Sequence, residues 1–301
     1  MYDRRFMLCR RMETGELNKI QLSRHPECAL FEQKIVGQSV VIRYHTPEQP
    51  LVPSHPLQLQ TLELPLDPDM TRLEKAHINL HNSPADAYLM GGEYDAWFTA
   101  CFGFETVLVF IGDGKREVLG TMAPGAKRES RGWLSSVSSY VLGTPSQDEP
   151  YLTFTDCAPV LVTSETSLNN VRQRKPEFAD LPMYKFRPNI VVDGEEEWSE
   201  DYWGEVTLGG GEEDRLVLTA NCGRCSSLNV DYGTGRTAAG ELGTVLKTLM
   251  KNRRVDDGIK WSPIFGRYGF LAENKELDIA VGDSVQVTRR LSERCVWDWP
   301  L

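Results

Sequence analysis

The sequence predicts a mixed α/β, β-barrel-rich fold in two parts. Three observations carry this. Short apolar runs bounded by turn formers recur along the chain, whereas helical periodicity is confined to a few stretches. The region from about Met122 to Pro150 is rich in Ser, Gly and Pro and divides the chain into two strand-rich halves. The 301 residues, 41% of them hydrophobic, are enough for two modest domains with ordinary cores.

In order, RFMLCRR, KIVGQSVVIRYH and LQLQTLELPL read as strands separated by turn formers. HINLH also reads as a strand, with His77 and His81 as surface residues; the Glu of an H-E-x-x-H zinc site is missing. Tyr94, Trp97, Phe98 and Cys101 fall at i, i+3, i+4 and i+7 and form the apolar stripe of a helix facing the core. VLVFIGDG is a buried strand closing in a turn. Residues 1–125 make the first domain and 126–148 the connection, within which WLSSVSSYVL is a patch able to pack. In the second domain, residues 149–295, APVLVTSE is a strand whose Ser164 caps a helix over Glu165–Arg172. NIVVDG is a strand. RLVLTANCGRCSSLNVDYGTG reads as two strands around a cysteine pair, with Gly233–Gly235 as the turn. Leu242, Val245, Leu246, Leu249 and Met250 share one face of a helix with basic residues at its C-terminal end. LDIAVGDSVQVTRR reads as strand, Gly-Asp turn, strand. The run DGEEEWSEDYW reads as a solvated acidic loop anchored by tryptophans.

A formal charge of −10 argues against nucleic acid as partner, since phosphate contacts need clustered Lys and Arg. No apolar run of transmembrane length and no secretory leader is present in the sequence. Seven scattered cysteines do not form a secreted disulfide framework, so an intracellular compartment, cytoplasmic or mitochondrial-associated, is expected.

Cys222 and Cys225 form a C-x-x-C pair with Arg224 between them. Structural zinc needs a second pair, which is missing. A dithiol switch works at a helix N-terminus, but the following SSLNVDYGTG is β-branched and turn-rich. Two readings remain open from the residues: a buried structural pair, or one thiolate that Arg224 activates toward a soft transition metal. The second needs further anion-binding residues. FRPNIVVDG supplies Arg187 and Asn189, and WSPIFGRYGF supplies Arg267 and Tyr268 in a Gly-containing turn.

The ordered set TDCAPVLVTSETSL, FRPNIVVDG, CGRC…VDYGTG, WSPIFGRYGF and VGDSVQV resembles the MOSC domain, the molybdenum-cofactor sulfurase C-terminal type, over roughly residues 150–290. Within that family it most resembles the mitochondrial amidoxime-reducing component. YDRRFML and EYDAWF resemble, more weakly, the family's N-terminal β-barrel domain. The resemblance implies a barrel-like N-terminal domain followed by a MOSC β-barrel with flanking helices. It implies a molybdenum-pyranopterin cofactor whose metal binds Cys225, with Cys222 a bystander. It places Arg4, Arg187, Asn189, Gly223, Arg224 and Tyr268 at cofactor contacts, and Cys157 and Ala158 where relatives carry a Thr-Ser pair. The activity implied is reduction of N-oxygenated substrates such as amidoximes and hydroxylamines. Electrons would come from a separate cytochrome b5 with its reductase, because the chain has no nucleotide-binding glycine loop and no Fe–S spacing. A persulfide carrier at Cys225 and a non-enzymatic cofactor binder are the alternatives. Family members carry a Lys- and Ser-containing segment before the Asp-Arg pair, whereas this sequence opens at Asp3-Arg4. An unpaired strand edge, self-association and poor cofactor loading are the expectations that follow.

Overall fold

A computed structural model describes residues 2–126, 150–211, 214–272 and 277–300. The proposed connection, with its WLSSVSSYVL patch, lies almost wholly outside the described residues.

The N-terminal half contains β1 (Phe6–Arg11), β2 (Leu17–Lys19), β3 (Phe31–Val36), β4 (Ser39–Tyr44), β5 (Leu62–Pro65), β6 (Lys75–Leu80), β7 (Ser83–Leu89), α1 (Gly92–Phe102), β8 (Thr106–Phe110) and β9 (Arg116–Glu117). The second half adds β10 (Tyr151–Leu152), β11 (Val160–Ser164), α2 (Glu165–Arg172), β12 (Ile190–Val192), β13 (Trp203–Leu208), β14 (Arg215–Gly223), β15 (Val230–Asp231), β16 (Arg236–Thr237), α3 (Val245–Met250), β17 (Ile264–Leu271) and β18 (Val285–Arg290). The architecture is strand-rich, with two curled half-barrel sheets and few helices, as the sequence patterns predict.

The first half-barrel is a five-stranded sheet ordered β2-β1-β8-β7-β6, beside a three-stranded sheet β3-β4-β5. β1 is paired on both sides, with β2 and β8, so the unpaired edge expected near the chain's start is not at this strand. Every residue of β8 is buried, because both faces of the sheet are covered. Leu108 and Phe110 pack with Trp97, Phe98 and Phe102 of α1, and Val107 and Val109 pack with Ile78 and Ala87. The α1 stripe read from the sequence is therefore a core face, and α1 ends at Gly103 in the left-handed region.

The second half-barrel is a six-stranded sheet ordered β12-β11-β17-β14-β13-β18. Among the described residues only β11 and β12 pair in parallel, joined through α2. Ser164 caps α2 as predicted, its side chain accepting from the Ser167 amide. At Gly266, φ is +86° and a Cβ would lie 2.7 Å from the Val162 carbonyl, so β11 and β17 approach this closely only with glycine there.

Five local expectations are corrected. LQLQ is a 3-10 turn, Pro56–Leu59, whose His55 and Gln58 side chains cap it, and only the residues after it form β5. SSLN after the cysteine pair is a 3-10 turn, so one strand, not two, flanks the pair directly. WSPIFGRYGF places Arg267 and Tyr268 on β17 rather than in a turn. Among the described residues of LDIAVGDSVQVTRR only Val285–Arg290 is a strand. The helical face predicted from Leu242 begins at Val245, and Leu242 stays exposed on a 3-10 turn.

The acidic loop also departs from expectation. Glu200 and Asp201 are fully buried. Asp201 pairs with Arg253 at 2.7 Å and with Arg294 at 2.8 Å, and Ser167 donates to Glu200 at 2.8 Å. Paired guanidiniums make burial of such a carboxylate tolerable. No helix among the described residues is long and apolar enough to cross a membrane.

Candidate functional site at the seam of the two halves

β14 delivers the cysteine pair. A strand points alternate side chains to opposite faces, and Ala220 and Cys222 turn into an apolar cluster with Leu152, Leu161 and Phe270. Cys222 is 1% exposed. The chain stays extended at Cys225, whose thiol is exposed and lies 3.1 Å from the Ser227 hydroxyl. The two sulfurs therefore do different things, one packed inside and one presented outward. All seven cysteines are free thiols.

Arg224 joins this segment to the next. It is buried, donating from Nη1 to the Cys222 sulfur at 3.0 Å and from Nη2 to the Phe186 carbonyl at 2.7 Å. Its amide donates to the Pro263 carbonyl at 2.8 Å, and its Nε has no partner among the described residues. The guanidinium thus staples the end of β14, just before Cys225, to the turn that carries Arg187. A Cβ at Gly223 would meet Ile259 and Ser262, so this glycine serves close packing of the same strand end.

Arg187 caps a 3-10 turn, Met183–Phe186, in the left-handed region at φ 55°. Its side chain has no hydrogen bond or ion pair among the described residues and stands exposed at the rim of a cleft of about 550 Å³. Arg4, also left-handed at φ 53°, lies across the same cleft. Its guanidinium is 3.8 Å from both Asp3 and Asp156. Two non-glycine residues in this region are uncommon, and strain of this kind gathers at functional sites. Tyr184 and Tyr232, 5.1 Å apart between ring centroids, complete the polar rim.

Asn189 is occupied by the protein itself. Its Oδ1 accepts from the Leu161 amide at 2.9 Å and its Nδ2 donates to Asp3 at 3.1 Å, so it fixes the Arg187 turn to β11 and to the Asp3-Arg4 segment. Asp156 faces His81, Arg4 and Arg187. Burial works against its charge, but the His81 contact and the two guanidiniums hold its carboxyl well below the usual range. His81, expected at the surface, lies 3.5 Å from Asp156, while His77 stays exposed beside Asp86.

The structure gathers Arg4 and Arg187 on one cleft, and Arg224, bonded to the carbonyl of Phe186, joins the segment before Cys225 to the turn that carries Arg187. It places Cys157, Ala158 and Tyr268 in the buried cluster around Cys222, and none of the three lines the cleft. The Tyr268 phenol is pushed well up, by burial first and by Cys222 and Asp156 next. Burial likewise raises the Cys157 thiol. Arg267, read as an anion contact, is fully buried and donates to Asn221 at 2.7 Å, to the Leu218 carbonyl at 2.9 Å and to Cys295 at 3.2 Å. Sequence reasoning missed Tyr184, Tyr232, Ser227 and His81. The tyrosines flank segments already singled out, but the His81–Asp156 contact joins residues in different halves and has no sequence signal.

The sequence profile of the MOSC domain matches residues 149–286, the span that holds Asp156, Arg187, the cysteine pair and β17. Residues 149–286 of the chain thus match a MOSC domain. Among curated proteins, mitochondrial amidoxime-reducing component 1 of Danio rerio is 36% identical over 124 residues, covering 41% of this chain and 35% of the relative. Mitochondrial amidoxime reducing component 2 of Bos taurus is 35% identical over 146 residues, 47% and 40% of the two chains. Component 1 of Homo sapiens is 35% identical over 138 residues, 44% and 38%. The match thus spans about two fifths of these relatives' length. Arg4 and the rest of the N-terminal half lie outside the MOSC profile, yet supply most of the cleft's lining.

Proposed function

We propose that this MOSC protein binds the molybdenum cofactor and reduces N-oxygenated substrates. The observation that carries the reading is the exposed Cys225 thiol, whose neighbour Arg224 bonds the Phe186 carbonyl next to Arg187, a residue that rims a cleft together with Arg4. The donor set suits the group. A thiolate is a good ligand for a soft or high-valent metal, and no cluster of three or more His, Cys, Asp or Glu among the described residues offers a competing cage. The Arg187 guanidinium, without a protein partner among the described residues, suits a phosphate, for which planar bidentate donors are the best match.

Cys225 would hold the metal, Arg4 and Arg187 the pterin phosphate, and Arg224 would keep positive charge beside the thiolate. Asn189 positions Arg187 by fixing its turn. Cys157, Ala158 and Tyr268 would contribute shape and backbone groups, because their side chains pack inward. When bound, the cofactor supplies two-electron oxygen-acceptor chemistry. For a hydroxylamine the balance is R–NHOH + 2e⁻ + 2H⁺ → R–NH₂ + H₂O. Asp156, held ionised by the charges around it, does not supply the protons at neutral pH, so these come from solvent. Electrons come from a separate donor of the cytochrome b5 type.

The test is elemental analysis of the purified protein for molybdenum, with fluorescence of the released pterin, followed by anaerobic reduction of an amidoxime with a chemically reduced dye. Molybdenum with released pterin, and formation of the amidine, are expected. Protein from a cofactor-producing host that holds neither metal nor pterin would overturn the reading. Sulfur on Cys225 released by cyanide as thiocyanate, without pterin, would assign the exposed thiol to sulfur transfer instead.

A further inference from the structure

The cleft does not stop at its polar rim. Behind Arg4 and Asp156 it runs into the N-terminal half-barrel, between the five-stranded and three-stranded sheets. Its walls there are Leu8, Phe31, Val40, Ile42, Leu64 and Leu108. Phe31, Val40 and Leu8 are only partly buried although they pack on the core cluster, so they retain surface facing the chamber. Strand register extends the apolar strip outward. Val40 pairs with Leu64 on one side and with Ile35 on the other, and Ile35 is 61% exposed. The MOSC half gives this chamber one apolar residue, Phe154, and its rim: Asp156, Tyr184, Arg187 and Tyr232. The volume of about 550 Å³, apolar walls and a few convergent polar groups are the properties of a small-molecule pocket, which spans roughly 300–1,000 Å³.

We propose that this chamber is a specificity pocket that takes the apolar alkyl body of the substrate and leaves its N-oxygenated head at the polar rim, on the Arg187 side that Arg224 links to the Cys225 segment. The N-terminal half, outside the MOSC profile, is then the substrate-selecting part of the molecule, and its preferred substrates are amphiphiles rather than small polar compounds. The identity of the head group rests on the reduction proposed above; the pocket rests on its own lining. Partly exposed Leu8, Phe31 and Val40 are costly to leave against water, and an alkyl chain covers them. The arginines stay free for the cofactor, because the body needs no charged partner.

The experiment is calorimetric titration of the full chain, prepared without molybdenum, with a series of alkyl amidoximes from butanamidoxime to dodecanamidoxime. Each added methylene should tighten binding about fourfold until the chamber is full. Val40→Phe fills the space from β4 and should weaken dodecanamidoxime binding by about tenfold while leaving butanamidoxime unchanged. Binding independent of chain length in the unaltered protein would overturn the proposal, whether or not Val40→Phe folds. The loaded protein separates this result from the reductase reading. Chain-length-dependent binding without turnover removes only the reduction, and turnover without chain-length dependence in either affinity or KM removes only the pocket.

Discussion

Replacing each cysteine of the C-x-x-C pair by alanine should produce opposite defects. Cys222 is 1% exposed and its sulfur accepts from the Arg224 guanidinium at 3.0 Å. Cys222→Ala removes one buried heavy atom, worth about 1 kcal/mol. It also leaves the buried Arg224 Nη1 without that acceptor, worth about 1–3 kcal/mol more. The expected loss in unfolding free energy is about 2–4 kcal/mol, read from urea denaturation followed by tryptophan fluorescence. Bound molybdenum per folded chain should change little. Cys225 is exposed and packs no core, so Cys225→Ala should move stability by no more than about 0.5 kcal/mol while abolishing molybdenum retention. The refuting result is an equal loss of metal from both variants at equal stability, which would point to a shared dithiol site. A stability cost for Cys225→Ala that matches Cys222→Ala would equally refute the division of labour.

The other expected outcomes concern charge and strain. Arg187→Gly removes a left-handed non-glycine residue, so thermal unfolding should stay within about 1 kcal/mol of the parent or rise, while pterin content falls. Asp201→Ala strands the buried Arg253 and should cost about 3–5 kcal/mol in urea unfolding, far more than Arg294→Ala at the half-exposed partner. Burial pushes the Glu200 carboxyl up to about 7, against the Ser167 hydrogen bond. A raised acid favours the folded state when protonated, so its stabilising contribution is complete below the unfolded value near 4.5 and is lost as pH rises through about 7. Glu200→Gln should therefore flatten the pH dependence of unfolding between those values and make the variant the more stable protein at pH 8.

What was legible in the sequence was whatever depends on near neighbours. The α2 boundaries follow from Ser164 and the residues after it, and Ser164 caps the helix as read. The α1 stripe and the all-apolar β8 follow from periodicity, because burial selects side chains at the spacing of the element. The ordered motifs around Cys225 were enough to indicate the MOSC domain. Local reading failed where distant residues decide the environment. Glu200 and Asp201 look like solvated charge in sequence, but Arg253, Arg294 and Ser167 meet them and make their burial possible. Arg267 looks like an anion contact until β14 and Cys295 take up its donors. His81 reaches Asp156 only because a turn of one half-barrel meets the other. The identity of the ligand-bearing residues is thus written in short segments. Which guanidinium is free, which thiol is exposed and what lies behind the rim are decided by how the two half-barrels meet, since accessibility and pairing belong to the packed molecule and not to the chain.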